Sequence, residues 1–116
     1  MPQSEMLVAI LPCKDLDASE AFYRGLGFAR DGGIDSYRIL SNGRGAQLHL
    51  TTAVEGWLIP GRNPFGLYLY AENVDELAAR CGRPAENKPW GMYEFAVSDP
   101  DQTLVRVGRP TRRPIW

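Results

Sequence analysis

Histidine occurs once in this 116-residue chain, at His49, and cysteine twice, at Cys13 and Cys81. One imidazole cannot hold a metal ion against water, so a His-built metal centre is excluded. A Cys nucleophile needs a base within hydrogen-bond reach, and His49 is the sole imidazole on offer. The two cysteines lie far apart and form no CxxC pair, so a reduced, cytoplasmic protein is the expectation. No apolar run approaches the about 18 residues that a membrane span requires. The opening Met1-Pro2-Gln3-Ser4-Glu5 lacks the basic patch and apolar stretch of a signal peptide. An excess of positive charge is also missing, with 13 Lys+Arg against 14 Asp+Glu, a net −1. That balance argues against a nucleic-acid groove and against a surface held to anionic lipid.

What remains is ordinary globular composition, 44% hydrophobic and 23% charged, in one domain-sized chain. Met6 to Leu11 is a short apolar run ending at Pro12 and reads as a strand. Asp15-Leu16-Asp17 caps a helix of about three turns that stops near Gly27. Asp31-Gly32-Gly33 reads as a turn. Ser36 to Leu40 is a strand, residues 41–45 a hairpin turn, and Ala46 to Thr51 a strand of period two. In that strand Gln47, His49 and Thr51 share one face, opposite Leu48 and Leu50. After a loop over residues 53–64 the pattern restarts. Phe65 to Ala71 is a strand, and Asn73 opens a helix ending near Cys81-Gly82. Residues 84–89 are irregular or an edge strand, Met92 to Val97 and Thr103 to Val107 are strands, and Asp99 to Gln102 is the turn between them.

The two halves repeat at an offset of 56–58 residues, which matches Asp15 with Asn73, Tyr37 with Tyr93, and His49 with Arg106. Each half reads βαβββ, is too small to be stable alone, and should pair with the other. The expected fold class is α+β: two βαβββ modules forming a curved, cup-shaped mixed sheet with helices on its outer face. Module 1 spans about 6–52, the inter-module loop 53–64, module 2 about 65–108 and a basic tail 109–116.

The motifs Lys14-Asp15-Leu16, Ala21-Phe22-Tyr23, Gly25-Leu26-Gly27-Phe28, Trp90-Gly91-Met92-Tyr93-Glu94-Phe95 and Ser98-Asp99-Pro100-Asp101 resemble the vicinal oxygen chelate superfamily. That superfamily includes glyoxalase I, fosfomycin-modifying thiol transferases, extradiol dioxygenases and bleomycin-resistance proteins. Gln102 departs from it, standing where the family usually has Gly and asking a non-Gly residue for a Gly-favouring conformation. In the small members two chains generally pair, so a homodimer is implied. The enzymes hold a divalent ion with one side chain from the first and last strand of each module. Those positions fall here on Val8, His49, Gly66 and Arg106. An alkyl group, a glycine and a guanidinium do not ligate a divalent ion. The resemblance therefore implies a member with no metal, no cofactor and no catalytic residue, closest to the bleomycin-resistance proteins.

Trp90 matches a groove-lining Trp-Gly of those proteins, and an indole offers a wide face for stacking; the alternative is an apolar plug at a surface. Tyr68 and Tyr70 line the cavity if Gly66 faces it, or are partly buried sheet aromatics. His49 is a cup-lining hydrogen-bond partner or a solvent-facing strand residue. Arg106 either holds a ligand anion or pairs with Glu94. Glu94 and other acids offset ligand positive charge. Tyr37 lies near a second stacking position, and Trp57 is a ligand contact or an interface anchor. The function implied is sequestration of a planar or cationic small molecule by a cup at a dimer interface, with no nucleic-acid or membrane partner. The alternatives are a metal-dependent lyase or dioxygenase using His49 with Gln47, Glu55, Glu72 or Glu94, and a ligand-sensing module.

Overall fold

The computed structural model describes residues 5–111. Its elements run β1 (Ala9–Cys13), α1 (Leu16–Arg24), β2 (Ala29–Ile34), β3 (Tyr37–Ser41), β4 (Gln47–Thr52), β5 (Gly66–Tyr70), α2 (Val74–Cys81), β6 (Glu86–Asn87), β7 (Met92–Ser98) and β8 (Leu104–Pro110). The architecture is α+β, with two four-stranded mixed sheets ordered β1-β4-β3-β2 and β5-β8-β7-β6. Each sheet joins its first and last strand in parallel and the rest antiparallel. The two halves thus repeat one topology. No helix among the described residues is long and apolar enough to cross a membrane.

Asp15 caps α1 by accepting the Ala18 N–H at 3.1 Å. Asn73 stands at the same place before α2 without capping it, because its side chain turns to Arg44 and Glu76. Gly82 ends α2 in the left-handed region. One face of each sheet lies under its helix. Leu11, Leu40, Leu48 and Leu50 are buried in module 1, and Phe95, Val97, Val105 and Val107 in module 2. They form one cluster together with Tyr23, Leu26 and Phe28 at the end of α1, so the modules share a core.

Three local expectations are corrected. The first strand includes Pro12 rather than stopping before it; β1 is an edge that pairs with β4 alone, where a missing N–H is tolerated. Asp31-Gly32-Gly33 is not a turn but the interior of β2, where the register shifts between Arg30 and Gly32. A Cβ on Gly33 would overlap the Tyr37 carbonyl oxygen, so that glycine serves close backbone approach, and the chain reverses at Asp35-Ser36. The last strand is Leu104–Pro110, running past the end expected at Val107. The rest of the tail from residue 112, with Trp116, lies outside the described residues. Gln102 does adopt a left-handed φ of 69°. Its side chain offsets the strain by accepting the Gly61 N–H at 2.6 Å, which ties down the inter-module loop.

Two buried polar groups hold the assembly. Asp99 Oδ1 accepts the N–H groups of Asp101 (2.8 Å) and Thr103 (2.9 Å), closing the β7–β8 turn. Its Oδ2 accepts the Tyr23 hydroxyl at 2.7 Å, so α1 of module 1 is bonded to a turn of module 2. On the other side of α1, Glu20 meets Arg30 (2.7 Å), Arg24 (3.0 Å) and Arg38 (3.0 Å). The Arg30 hydrogen bond, against the opposing effect of burial, holds the Glu20 carboxyl below its ordinary pKa.

Tyr23→Phe removes the inter-module bond and strands a buried carboxylate oxygen, so urea unfolding should show a loss of about 1.5–3 kcal/mol. Glu20 contributes stability that is present above its unfolded-state pKa and lost as pH falls through the lower folded-state value. Equilibrium unfolding from pH 6 to 3 should accordingly have a shallower acid limb in Glu20→Gln than in the parent chain.

Candidate functional site

Each sheet has a second face that its helix does not cover. In the second sheet the strand register sets Tyr68 beside Arg106 and Gly108 between Tyr70 and Glu94. Because strand residues alternate, Tyr68, Tyr70, Arg106 and Glu94 share that face. Gly108 leaves a gap in it. Tyr68 leans diagonally across the gap, and its hydroxyl donates to Glu94 Oε1 at 2.9 Å. A Cβ on Gly108 would overlap the Tyr68 hydroxyl and stand 2.6 Å from Glu94 Cβ.

Glu94 is 2% exposed and gathers three groups. Trp90, on the turn entering β7, donates Nε1–H to the same Oε1 at 3.0 Å. Arg106 brings Nε to 3.8 Å from Oε2 and lays its guanidinium over the indole, 5.4 Å from the ring centroid. Tyr70 stacks obliquely on Tyr68 with centroids 4.8 Å apart. Burial, and next the adjoining carboxylate, push the Tyr68 phenol well above its ordinary pKa, so it stays a donor. Trp90 is 55% exposed, yet its hydrogen bond fixes the plane of the ring. The face thus carries an oriented indole, a tyrosine pair and a half-exposed guanidinium around a buried carboxylate whose Oε1 accepts two hydrogen bonds.

Five of the eight residues expected to line a site therefore converge: Trp90, Tyr68, Tyr70, Arg106 and Glu94. Arg106 makes the Glu94 pair anticipated as one of its two roles, at 3.8 Å and with its side chain 43% exposed. The other three lie elsewhere. Tyr37 and His49 pair on the uncovered face of the first sheet, hydroxyl to Nδ1 at 2.8 Å, with rings edge to face. Trp57 lines a separate apolar cleft of about 450 Å³ with Ile10, Pro12, Leu58 and Phe65. Gly108 was missed. Its signal is a glycine inside the strand Leu104-Val105-Arg106-Val107-Gly108, a pattern that marks close approach of another group.

The four positions matched to metal-holding residues do not fit a divalent ion. The register sets Ile10, not a ligating side chain, opposite His49, and sets Tyr68, already bonded to Glu94, opposite Arg106. Val8 and Gly66 border an apolar cleft of about 550 Å³ between the modules. Among the described residues, no three His, Cys, Asp or Glu side chains gather as an ion's ligands. Cys13 is a buried thiol, pushed up to about 11 by burial, and is no nucleophile.

No protein-family model matches the sequence, and no curated protein matches it. Solved structures do match. A bleomycin resistance determinant encoded on the transposon Tn5 is 27% identical, with 94% of this chain and 100% of that one covered and a TM-score of 0.78. A bleomycin-binding protein in complex with bleomycin is also 27% identical, over 91% of this chain and 98% of the other, at a TM-score of 0.77. A lactoylglutathione lyase from Agrobacterium tumefaciens is 28% identical over 94% and 96%, at a TM-score of 0.67. All are members of the vicinal oxygen chelate superfamily, and the resemblance read from the motifs holds across the chain.

Gly108→Ala should force Tyr68 off Glu94 and destabilise the protein by about 1–3 kcal/mol, as overpacking does. Thermal unfolding measures the loss. A shift in Trp90 emission should accompany it, since the indole shares the same acceptor atom.

Proposed function

We propose that this chain, which carries the vicinal oxygen chelate fold, is a metal-independent small-molecule binding protein that sequesters a planar ligand against Trp90. The observation that carries this reading is the indole itself. It is more than half exposed, and a hydrogen bond to a buried carboxylate fixes its orientation. An indole oriented before its ligand arrives loses little entropy on binding. Tyr68 and Tyr70 extend the apolar floor beside it. The neighbour solved as a bleomycin-binding protein in complex with bleomycin supports the reading, because its ligand is a small molecule.

The lyase neighbour, 28% identical, favours chemistry instead, and the weight against it comes from this chain's own donor positions. At the positions where a metal enzyme needs donors, this chain offers an imidazole bonded to Tyr37 and a guanidinium. Neither pair of facing residues makes a Lewis-acid centre. The reading includes a homodimer, in which a second copy completes the cup. Ile10, Trp57, Ile59 and Phe65 are each more than half exposed, and three of them border one cleft, which supports burial by a second copy. Two free thiols fit a reducing compartment and support the cytoplasm as its location.

Tryptophan-fluorescence and NMR titrations with the neutral planar probe 2-naphthalenemethanol, and with metal-free bleomycin, test this. Binding of at least one should saturate at one per chain and be unchanged by EDTA. It should weaken at least about tenfold in Trp90→Ala, the scale of a lost aromatic anchor. The same sample should sediment as two chains. Binding that needs an added divalent ion would replace this reading with the enzymatic one.

A further inference from the structure

We infer that the ligand of this site is an acid: a planar ring system bearing a carboxylate, sulfonate or phosphate. The inference rests on the binding reading above and adds the sign of the ligand's charge. Two ionised groups meet at the indole, and they differ in what they show to solvent. Glu94 is 2% exposed, one of its oxygens already accepts from Tyr68 and Trp90, and the other faces Arg106. A cation approaching the second oxygen would meet the Arg106 guanidinium, a like charge, 3.8 Å from it. Arg106 is 43% exposed and touches Glu94 only through Nε, at 3.8 Å. Among the described residues, the guanidinium has no closer polar partner, so its two terminal nitrogens remain available as a fork suited to an oxyanion.

The neighbouring charges do not reverse that sign. Glu86 lies across from Glu94 on β6, and Lys88 pairs with it at 3.0 Å, so those two cancel. The guanidinium also lies over the indole itself. A ring stacked beside it on Trp90 brings its substituent against Arg106. A cationic substituent there meets a like charge, and an anionic one completes the fork. Arg106 can keep Nε toward Glu94 while its terminal nitrogens take the ligand, so binding leaves no buried carboxylate unpaired. The expectation from sequence that acids in the site would offset a ligand's positive charge is therefore reversed: the acid present is spent inside the protein, and the accessible charge is basic.

Three probes with one ring test the inference on the full chain: 2-naphthalenesulfonate, 2-naphthalenemethanol and 2-naphthylmethylammonium, titrated by ligand-observed NMR at 50 and 300 mM salt. The sulfonate should bind at least about tenfold more tightly than the ammonium, with the alcohol between them and the sulfonate alone weakened by salt. The preference should fall below about threefold in Arg106→Gln and survive in Arg106→Lys. Since Arg106→Gln deprives Glu94 of its counter-charge, the double variant Glu94→Gln/Arg106→Gln repeats the measurement with both charges removed and should show the same loss. An ammonium that binds as tightly as the sulfonate, or a preference that persists in both Arg106→Gln backgrounds, overturns the inference. If all three probes bind alike and all are lost in Trp90→Ala, the acidic ligand is wrong while the planar site stands. If none binds, both fall.

Discussion

One helix can cover one face of a four-stranded sheet, and each module of this chain has a single helix. Helix α1 lies on β2 and β4, and α2 lies on β7 and β8. The opposite faces are left to solvent, to a ligand or to another chain. Everything distinctive about the protein is on those faces. They hold the Tyr37–His49 pair on one sheet and the Trp90–Glu94–Tyr68–Arg106 group on the other. A carboxylate as buried as Glu94 is costly unless its oxygens are hydrogen-bonded. Hydrogen bonds from Tyr68 and Trp90 to one oxygen and the Arg106 charge near the other offset that cost, and the two hydrogen bonds orient the tyrosine and the indole. Gly108 is the residue whose lack of a side chain makes the geometry possible.

The internal repeat shows how two similar halves become one asymmetric unit. Asn42 and Asp99 hold equivalent turns by the same device, each accepting the N–H groups two and four residues on. The amide of Asn42 does no more than this. Asp99 has a second carboxylate oxygen, and Tyr23 reaches across from the other module to use it. A change from amide to carboxylate at one turn thus converts a local element into the bond between modules. The same divergence separates His49 from Arg106. They occupy matched strands, yet one is satisfied by a neighbouring tyrosine and the other is turned outward beside an indole.

Much of this was legible in the chain because it depends on neighbours in sequence. Period-two alternation put Leu48 and Leu50 inside and His49 outside. Asp15 announced a helix start, and the offset of 56–58 residues announced two modules. Gln102 announced a left-handed residue, and its φ bears that out. The failures have physical causes too. Asp31-Gly32-Gly33 carries the composition of a turn, but the glycines answer to a strand that passes too close for a Cβ. Pro12 ended the first strand on paper, and edge position readmitted it.

Sequence by itself determined the class of fold, the alternation of each strand and the residue types available for chemistry: one imidazole, and several aromatics with an acid and a base among them. Those properties are carried by local spacing and side-chain identity, which survive without coordinates. Only the tertiary structure decided which of those residues meet. Strand register put Arg106 beside Tyr68 and sent Trp57 to a different cleft. It also buried Glu94 while leaving Arg106 43% exposed. Exposure depends on every neighbouring strand at once, and no spacing along one chain encodes it.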